Sequence, residues 1–293
     1  MKHITQECLD YIKDKFDYWG NGITAEDIEE FSDFLKTRLN TERKLYRYSP
    51  ADYYNIRNFE TGKLKLTSNG QLNDVYEGLP ISAQRQPTIE DVKALDELAY
   101  IKCFSVENNN NLMWSHYAEN HTGICVEYDL SMLDKNHDYL NHIYPVLYSE
   151  KRHFAIDLDK LLKEQKQLLS DIYADNEPDS SEYLINVPLL LLFKGTEWNY
   201  EKEWRIIYTK RDMYLSEDPD LNNGIIHFDC ISGIYFGYLI RPEIRQNLIE
   251  IVRRQNKFRK KETMKQIDLY DMCISNSTYE LSTKKIKEAC NDE

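Results

Sequence analysis

The sequence predicts an α+β protein: mixed or antiparallel sheets with flanking helices, preceded by an N-terminal helical extension. Short aromatic and β-branched runs recur from residue 44 onward and are bounded by Gly, Pro and Asn, the pattern of strands. Helical periodicities stand at the start, the middle and near the end, and do not alternate with the strands as regular βαβ units.

The extension spans residues 1–40. "CLDYIKDKFDYW" places Leu9, Ile12, Phe16 and Trp19 on one helical face. After Gly20-Asn21-Gly22, Thr24 suits an N-cap, and "AEDIEEFSDFLKTRL" aligns Ile28, Phe31, Phe34 and Leu35. Residues 41–293 then read as one α+β domain. "KLYRYSP" is a strand stopped by Pro50, and "GKLKLTS" is a second. "NGQLNDVYEG" is loop chemistry, in which Asn73 and Asp74 form turns. Glu77 there is either a pocket acid or, more in keeping with the local composition, part of a loop held by side chain to backbone bonds.

"AYIKCFSV" reads as a buried strand and "LMWSHYAEN" as a short helix. "ICVEYDL" is a strand, with "YPVLYS" its expected neighbour. A helical insertion near 158–195 comprises helices at 158–176 and 181–195. "WRIIYT" and "GIYFG" are strands, and "PEIRQNLIEIVRRQ" is a helix opened by proline. "QIDLYDMCI" and "TYELSTKKI" form a closing hairpin around "SNS".

Composition narrows the function classes. The chain has 293 residues, 41% hydrophobic and 30% charged, with a net charge of −13 that repels polyanions. Nucleic acid contact would need the basic run at 253–265, "RRQNKFRKKETMK", for which a solvated helix end is the simpler reading. No apolar stretch approaches a membrane span: "LINVPLLLLF" is too short and contains Pro188. The six cysteines are dispersed, without a C-x-x-C pair, and the N-terminus has no leader-like segment. A reduced, cytoplasmic protein is the expectation. There is no Walker or Rossmann glycine pattern, and no metal site is expected from the histidine spacing.

The chemistry concentrates in "WNYEKEWRIIY" (198–208). Read as a strand, "YEKEWRII" puts Glu201, Glu203, Arg205 and Ile207 on one face and Lys202, Trp204, Ile206 and Tyr208 on the other. Trp204 and Ile206 would enter the core, leaving the carboxylates to line an opening. The alternative is a solvated edge-strand face whose charges discourage pairing. Trp114, Trp198 and Trp204 are expected to be largely buried, with at least two flanking one cleft. Ser115 and His116 are helical neighbours and cannot act as nucleophile and base to each other. His116 and Tyr117 instead suit a pocket wall, beside Tyr48 and Trp114.

Taken in order, "KLYRY", "LTSNGQLNDVYEG", "CFSVENNNNLMWSHYAENHTGICVEYD", "FKGTEWNYEKEWRIIY" and "GIYFG" resemble the bacterial family called domain of unknown function 2971, over roughly residues 44 to 275. The resemblance implies a bacterial source and an association with phage-defence and abortive-infection components. Arg47 between two tyrosines, Ser105 ending a strand, and Glu-x-Glu on a third are also similar to the arginine–serine–glutamate pattern of ADP-ribosyltransferases. That second resemblance implies NAD as the substrate and a phage or host macromolecule as the acceptor. It makes Glu203 the catalytic carboxylate, Glu201 the acceptor-orienting one, Arg47 the phosphate ligand and Ser105 a brace. "CFSV" departs from the usual Ser-Thr-Ser, which bears on Ser105 first. The competing classes are a non-catalytic sensing or interaction module, with another defence-system protein as its partner, and, third, a nuclease.

Overall fold

The computed structural model describes residues 44–79, 85–96, 98–133, 138–150, 158–176, 187–188 and 190–286, with Glu30 and Phe34. The helical extension expected over 1–40 lies otherwise outside the described residues, as does most of the helix expected at 181–195.

The described strands are β1 (Lys44–Ser49), β2 (Lys63–Lys65), β3 (Thr67–Ser68), β4 (Ala99–Ser105), β5 (Ile124–Asp129), β6 (Ile143–Pro145), β7 (Leu147–Tyr148), β8 (Phe193–Lys194), β9 (Glu203–Thr209), β10 (Ile225–His227), β11 (Ile231–Phe236), β12 (Asp268–Ile274) and β13 (Leu281–Lys285). The α-helices are α1 (Tyr53–Thr61), α2 (Ile89–Leu95), α3 (Asn111–Tyr117), α4 (Leu158–Tyr173), α5 (Lys210–Leu215), α6 (Pro219–Asn222) and α7 (Pro242–Lys261). Nine strands form one sheet in the order β13-β12-β11-β5-β1-β4-β9-β6, with β3 also on β4. Its pairs are antiparallel except β11 with β12, which makes the sheet mixed. The α+β expectation holds.

Both faces of the sheet are covered, so its strands are apolar on both sides rather than alternating with solvent. Leu45, Phe104, Trp204, Ile206 and Ile234 meet Phe59 of α1 and Leu248, Ile249 and Val252 of α7 on one face. On the other, Ile101 and Ile207 pack with Leu158, Leu161 and Leu168 of α4, while Tyr48 and Cys125 pack with Met113 and Trp114 of α3. The sequence "WRIIYT" is accordingly buried at every position, which removes the solvated-edge reading of this strand.

Local chemistry fixes the pieces that matter for the site. The Asn110 side chain caps α3 by accepting from the Leu112 and Met113 N–H groups, and its amide donates to the Tyr200 carbonyl at 2.7 Å. That bond ties α3 to the 3-10 turn at Thr196–Glu201. Gly123 follows α3 where a Cβ would lie 2.3 Å from the Ser49 carbonyl oxygen, so β5 passes against β1 only without a side chain there.

Three expectations need correction. "YPVLYS" does not neighbour β5: β6 pairs with β9, and β7 pairs in parallel with β8. Pro145 ends β6 on the outer edge of the large sheet, where a missing N–H costs no ladder bond. Phe193–Lys194 is strand rather than helix, because these two residues pair with Leu147 and Tyr148 of β7. Finally, Glu201 is not on the strand. It ends the 3-10 turn, and Lys202, at φ 47 and ψ 54, reverses the chain before β9 begins at Glu203.

Candidate functional site: a cavity through a gap in the sheet

The strands carrying Arg47, Ser105 and Glu203 are adjacent in the sheet, as β1, β4 and β9. β4 and β9 pair along their whole length, with Ser105 opposite Glu203 and Cys103 opposite Arg205. β1 and β4, however, meet at one pair only, Tyr46 opposite Ser105. β3 takes the same edge of β4 further along, Thr67 opposite Ile101 and Ser68 opposite Tyr100. Between those contacts the edge of β4 has no strand partner among the described residues, and a cavity of about 230 Å³ occupies the gap.

Arg47, Tyr48, Ser105, Tyr117, Glu201 and Glu203 all line it. They do not all project from one face. Residues opposed in an antiparallel pair share a face, so Tyr46, Tyr48, Ser105, Cys103, Glu203 and Arg205 lie on one side. Arg47 and Lys102, one residue out of phase, lie on the other.

On the first side, three carboxylates surround two cations. Lys194 Nζ is 2.9 Å from Glu77, 2.6 Å from Glu201 and 3.2 Å from Glu203. Arg205 grips Glu203 with both prongs, at 2.7 and 2.9 Å, reaches Glu77 at 3.0 Å and donates to the Leu191 carbonyl at 2.6 Å. All five side chains are 5% exposed or less, so these charges can persist only because they neutralise one another.

The two central glutamates differ in chemistry. Burial alone would push Glu203 up, but Arg205 and then Lys194 overcome it and hold the carboxyl at about 2. Glu201 is pushed up, by burial first and by the neighbouring Glu203 charge, against the pull of Lys194. It also accepts from the Tyr117 hydroxyl, which burial and Glu201 keep firmly protonated. Asn73 donates to the same hydroxyl at 3.3 Å. Cys103 lies against Glu203 with its thiol pushed well up, by burial and then by that carboxylate.

On the second side, Arg47 donates to Asn55 Oδ1 of α1 at 3.3 Å from each of two nitrogens, and Lys102 donates to the Lys65 carbonyl. Burial, then the Arg47 charge, pull the Lys102 amine down to about 7.

The remaining predicted residues sit around this site. Tyr48 lines the cavity and donates to the Glu107 carbonyl at 2.7 Å. Trp114 is fully buried behind it, edge-on at 5.2 Å, with Nε1 donating to Asn108. His116 is exposed, faces Tyr200, and does not line the cavity. The tryptophan expectation fails in part: Trp204 is buried in the other core, Trp198 is half-buried over Lys194, and none of the three lines the cavity. Tyrosines, with Leu72, Ile101, Phe104 and Met113, form the apolar wall instead.

Sequence reasoning underrated Glu77 and missed Lys194 and Lys102. Glu77 is no backbone-bonded loop residue but the third carboxylate of the cluster. The available signal was the lone lysine of "LLLLFKG", a charge that an apolar run buries only with a counter-charge. The basic run at 253–265 is partly structural: Arg259 donates to the Ile231 and Lys265 carbonyls, and Lys265 pairs with Asp129 at 2.5 Å. Among the described residues, no helix is long and apolar enough to cross a membrane.

Residues 113–206 match the family described as protein of unknown function (DUF2971). Over that segment the match agrees with the resemblance read from the motifs, which extends over roughly residues 44 to 275. The matched segment runs from α3 through β9 and so contains Tyr117, Lys194, Glu201, Glu203 and Arg205, while Arg47, Glu77, Lys102 and Ser105 precede it. No curated protein and no solved structure matches the chain.

Proposed function

We propose that the protein is an ADP-ribosyltransferase-like enzyme of bacterial defence, which cleaves the nicotinamide glycosidic bond of NAD and transfers the ADP-ribosyl group to a phage or host macromolecule. One observation carries the reading: a single cavity joins Arg47 to Ser105 and the Glu201–Glu203 cluster. Such a cavity is polarised, with cations at one end for pyrophosphate and excess carboxylate at the other for a developing ribosyl cation. At about 230 Å³ it is smaller than the ~300–1,000 Å³ of a site that engulfs a drug-sized ligand, so it takes one end of a dinucleotide.

In the proposed step the glycosidic bond breaks heterolytically and its electron pair leaves with neutral nicotinamide. The ribosyl carbon then takes an electron pair from a nucleophile of the acceptor, whose proton is released. The geometry favours Glu201 over Glu203 for facing the ribosyl cation. Glu203 is held by both prongs of Arg205 and by Lys194, whereas Glu201 has Lys194 as its one cationic partner among the described residues. Tyr117 and Lys194 fix its two oxygens.

The test is nicotinamide release from NAD by the full chain. Glu201→Gln should fold and lose roughly 10²–10³ in turnover. Unchanged release in Glu201→Gln, or no release from wild type with NAD and cellular acceptors, would rule the transfer reaction out. A second reading, a non-catalytic sensing module, is favoured by the complete ion pairing of Glu203; it expects NAD binding without release.

A further inference from the structure

We propose that the outer face of the C-terminal half of α7 docks a nucleic acid through its phosphate backbone. The inference rests on that helix and not on the transfer reaction.

The two halves of α7 present different outer faces. Its inner stripe, with Leu248, Ile249, Ile251 and Val252, is buried against the sheet, and Asn256 and Arg259 continue it. The outer stripe begins with Glu243, Gln246 and Glu250. It continues as Arg253, Arg254, Lys257, Lys260 and Lys261, positions three or four apart that share one side of a helix. Arg254, Lys257, Lys260 and Lys261 are exposed, and Phe258 stands among them at 60% exposure.

The fold does not account for this stripe. Cations in the last turn of a helix offset its macrodipole, which covers Lys260 and Lys261 but not Arg253, Arg254 and Lys257 before them. Nor is the charge neutralised. Among the described residues Arg254 has Glu60 at 3.3 Å, while Arg253, Lys257, Lys260 and Lys261 have no carboxylate within ion-pairing distance. Lys257 has like charges three or four residues away on both sides, at Arg253, Arg254, Lys260 and Lys261, a spacing at which they repel and weaken a helix. An anion lying along the stripe reverses that cost. Residues 253–265 hold seven cations against Glu262 alone, in a chain of net charge −13, so the positive field is local to this segment.

Nucleic acids and anionic membranes both present rows of phosphates, and the helix distinguishes them. A helix lying on a membrane buries an apolar face in the lipid. The apolar face of α7 is already spent on the core, which leaves Phe258 and, past the helix, Met264. A nucleic acid needs only cations spaced along its backbone. From Arg253 to Lys261 the stripe runs about 12 Å, at ~1.5 Å per residue, long enough to meet several backbone charges. Phe258 adds one ring on which an unpaired base can stack.

Fluorescence anisotropy of labelled mixed-sequence DNA, single-stranded and duplex, with the full chain tests this. Wild type should bind at low salt, and the logarithm of its association constant should fall against that of salt with a slope of about −3 to −4, for about four contacts at ~0.7–0.9 each. Lys257→Gln/Lys261→Gln should weaken binding about tenfold or more and make the slope shallower by about 1.5. Lys163→Gln/Lys166→Gln removes the same charge from exposed positions of α4, across the sheet, and should change affinity by less than about twofold. All four side chains are exposed, so circular dichroism melts should show both double variants folded. No DNA binding by wild type, an equal loss in the two double variants, or tighter binding to phosphatidylserine vesicles than to DNA would each overturn the docking surface. DNA binding without nicotinamide release would leave the surface standing and remove the transferase; release by a chain that binds no DNA would do the converse.

Discussion

The two ends of the cavity bury charge in opposite ways. At one end Glu77, Glu201, Glu203, Lys194 and Arg205 satisfy one another almost completely, in contacts of 2.6–3.2 Å. At the other, Arg47 and Lys102 have amide and carbonyl partners but no counter-charge. The first arrangement explains why "WNYEKEWRIIY" carries charge inside a buried element: the ion pairs lock β8 and the 69–78 loop onto β9, and the Tyr117 hydroxyl ties α3 to Glu201. The second explains nothing about the fold. A buried charge with a partner is structure; Lys102, buried without one, is held at a cost to the fold.

The sharpest way to break this contrast is to remove a partner from the paired end. Arg205→Met strands Glu203 and Glu77 in the interior, and loss of one member of a buried pair costs about 3–5 kcal/mol. At ~2–4 °C per kcal/mol, a melting temperature lower by about 10 °C is expected. A loss of under ~1 kcal/mol would show that the cluster is hydrated and not structural.

Acid should undo the same end next. With Glu203 held at about 2 against an ordinary 4.5, the unfolded chain binds more protons between those values. The stabilisation from Glu203 is therefore fully present above pH 4.5 and lost as pH falls toward 2. At 1.36 kcal/mol per unit it amounts to roughly 3 kcal/mol. Glu203→Gln should remove that limb of the stability curve and destabilise at neutral pH. Glu201 has the opposite sign: its raised carboxyl costs stability as pH rises through it, so Glu201→Gln should be neutral or stabilising. Denaturant melts from pH 3 to 7 decide, and parallel curves for the two variants would contradict the distinction between them.

At the unpaired end the sign inverts. Lys102 binds its proton less readily folded, at about 7, than unfolded, at 10.5, so wild type should gain stability as pH rises between those values. Lys102→Met should raise the stability at pH 7 by about 2 kcal/mol, after the lost bond to the Lys65 carbonyl is set against the relieved charge. The gain should vanish above pH 10.5. A destabilised Lys102→Met would mean that Lys102 has a counter-charge after all.

Much of the frame was legible in the sequence because strand periodicity and turn residues are local signals. β1, β4, β5, β9, β11 and the β12–β13 hairpin were each visible as short aromatic runs. Pairing was not local, which is why "YPVLYS" was assigned the wrong neighbour. The face reading of "EWRIIY" held from Glu203 onward and failed at Glu201, because a left-handed Lys202 is not signalled by any glycine or asparagine. Arg47 lines the cavity, but its place on the opposite face from Glu203 depended on the strand register. Lys194 and Glu77 were invisible as partners, being 117 residues apart and joined only by tertiary contact.

The smallest expected effect lies at the rim of the paired end. Lys194 Nζ sits 4.8 Å from the centroid of the Trp198 ring, which is half-buried and outside the cavity wall. Three carboxylates already balance the lysine, so the ring adds only its quadrupole, ~0.5–1 kcal/mol for a partly exposed contact. Trp198→Leu keeps the apolar cover and removes the π face. It should lower stability by that amount and leave the acid limb assigned to Glu203 where it was. Trp198→Ala should cost more, through lost area, and in addition let water reach Lys194. If Trp198→Leu instead shifts the acid limb toward higher pH, the ring is excluding water from the whole cluster, and the paired end owes its tight balance to that cover as well as to its own charges.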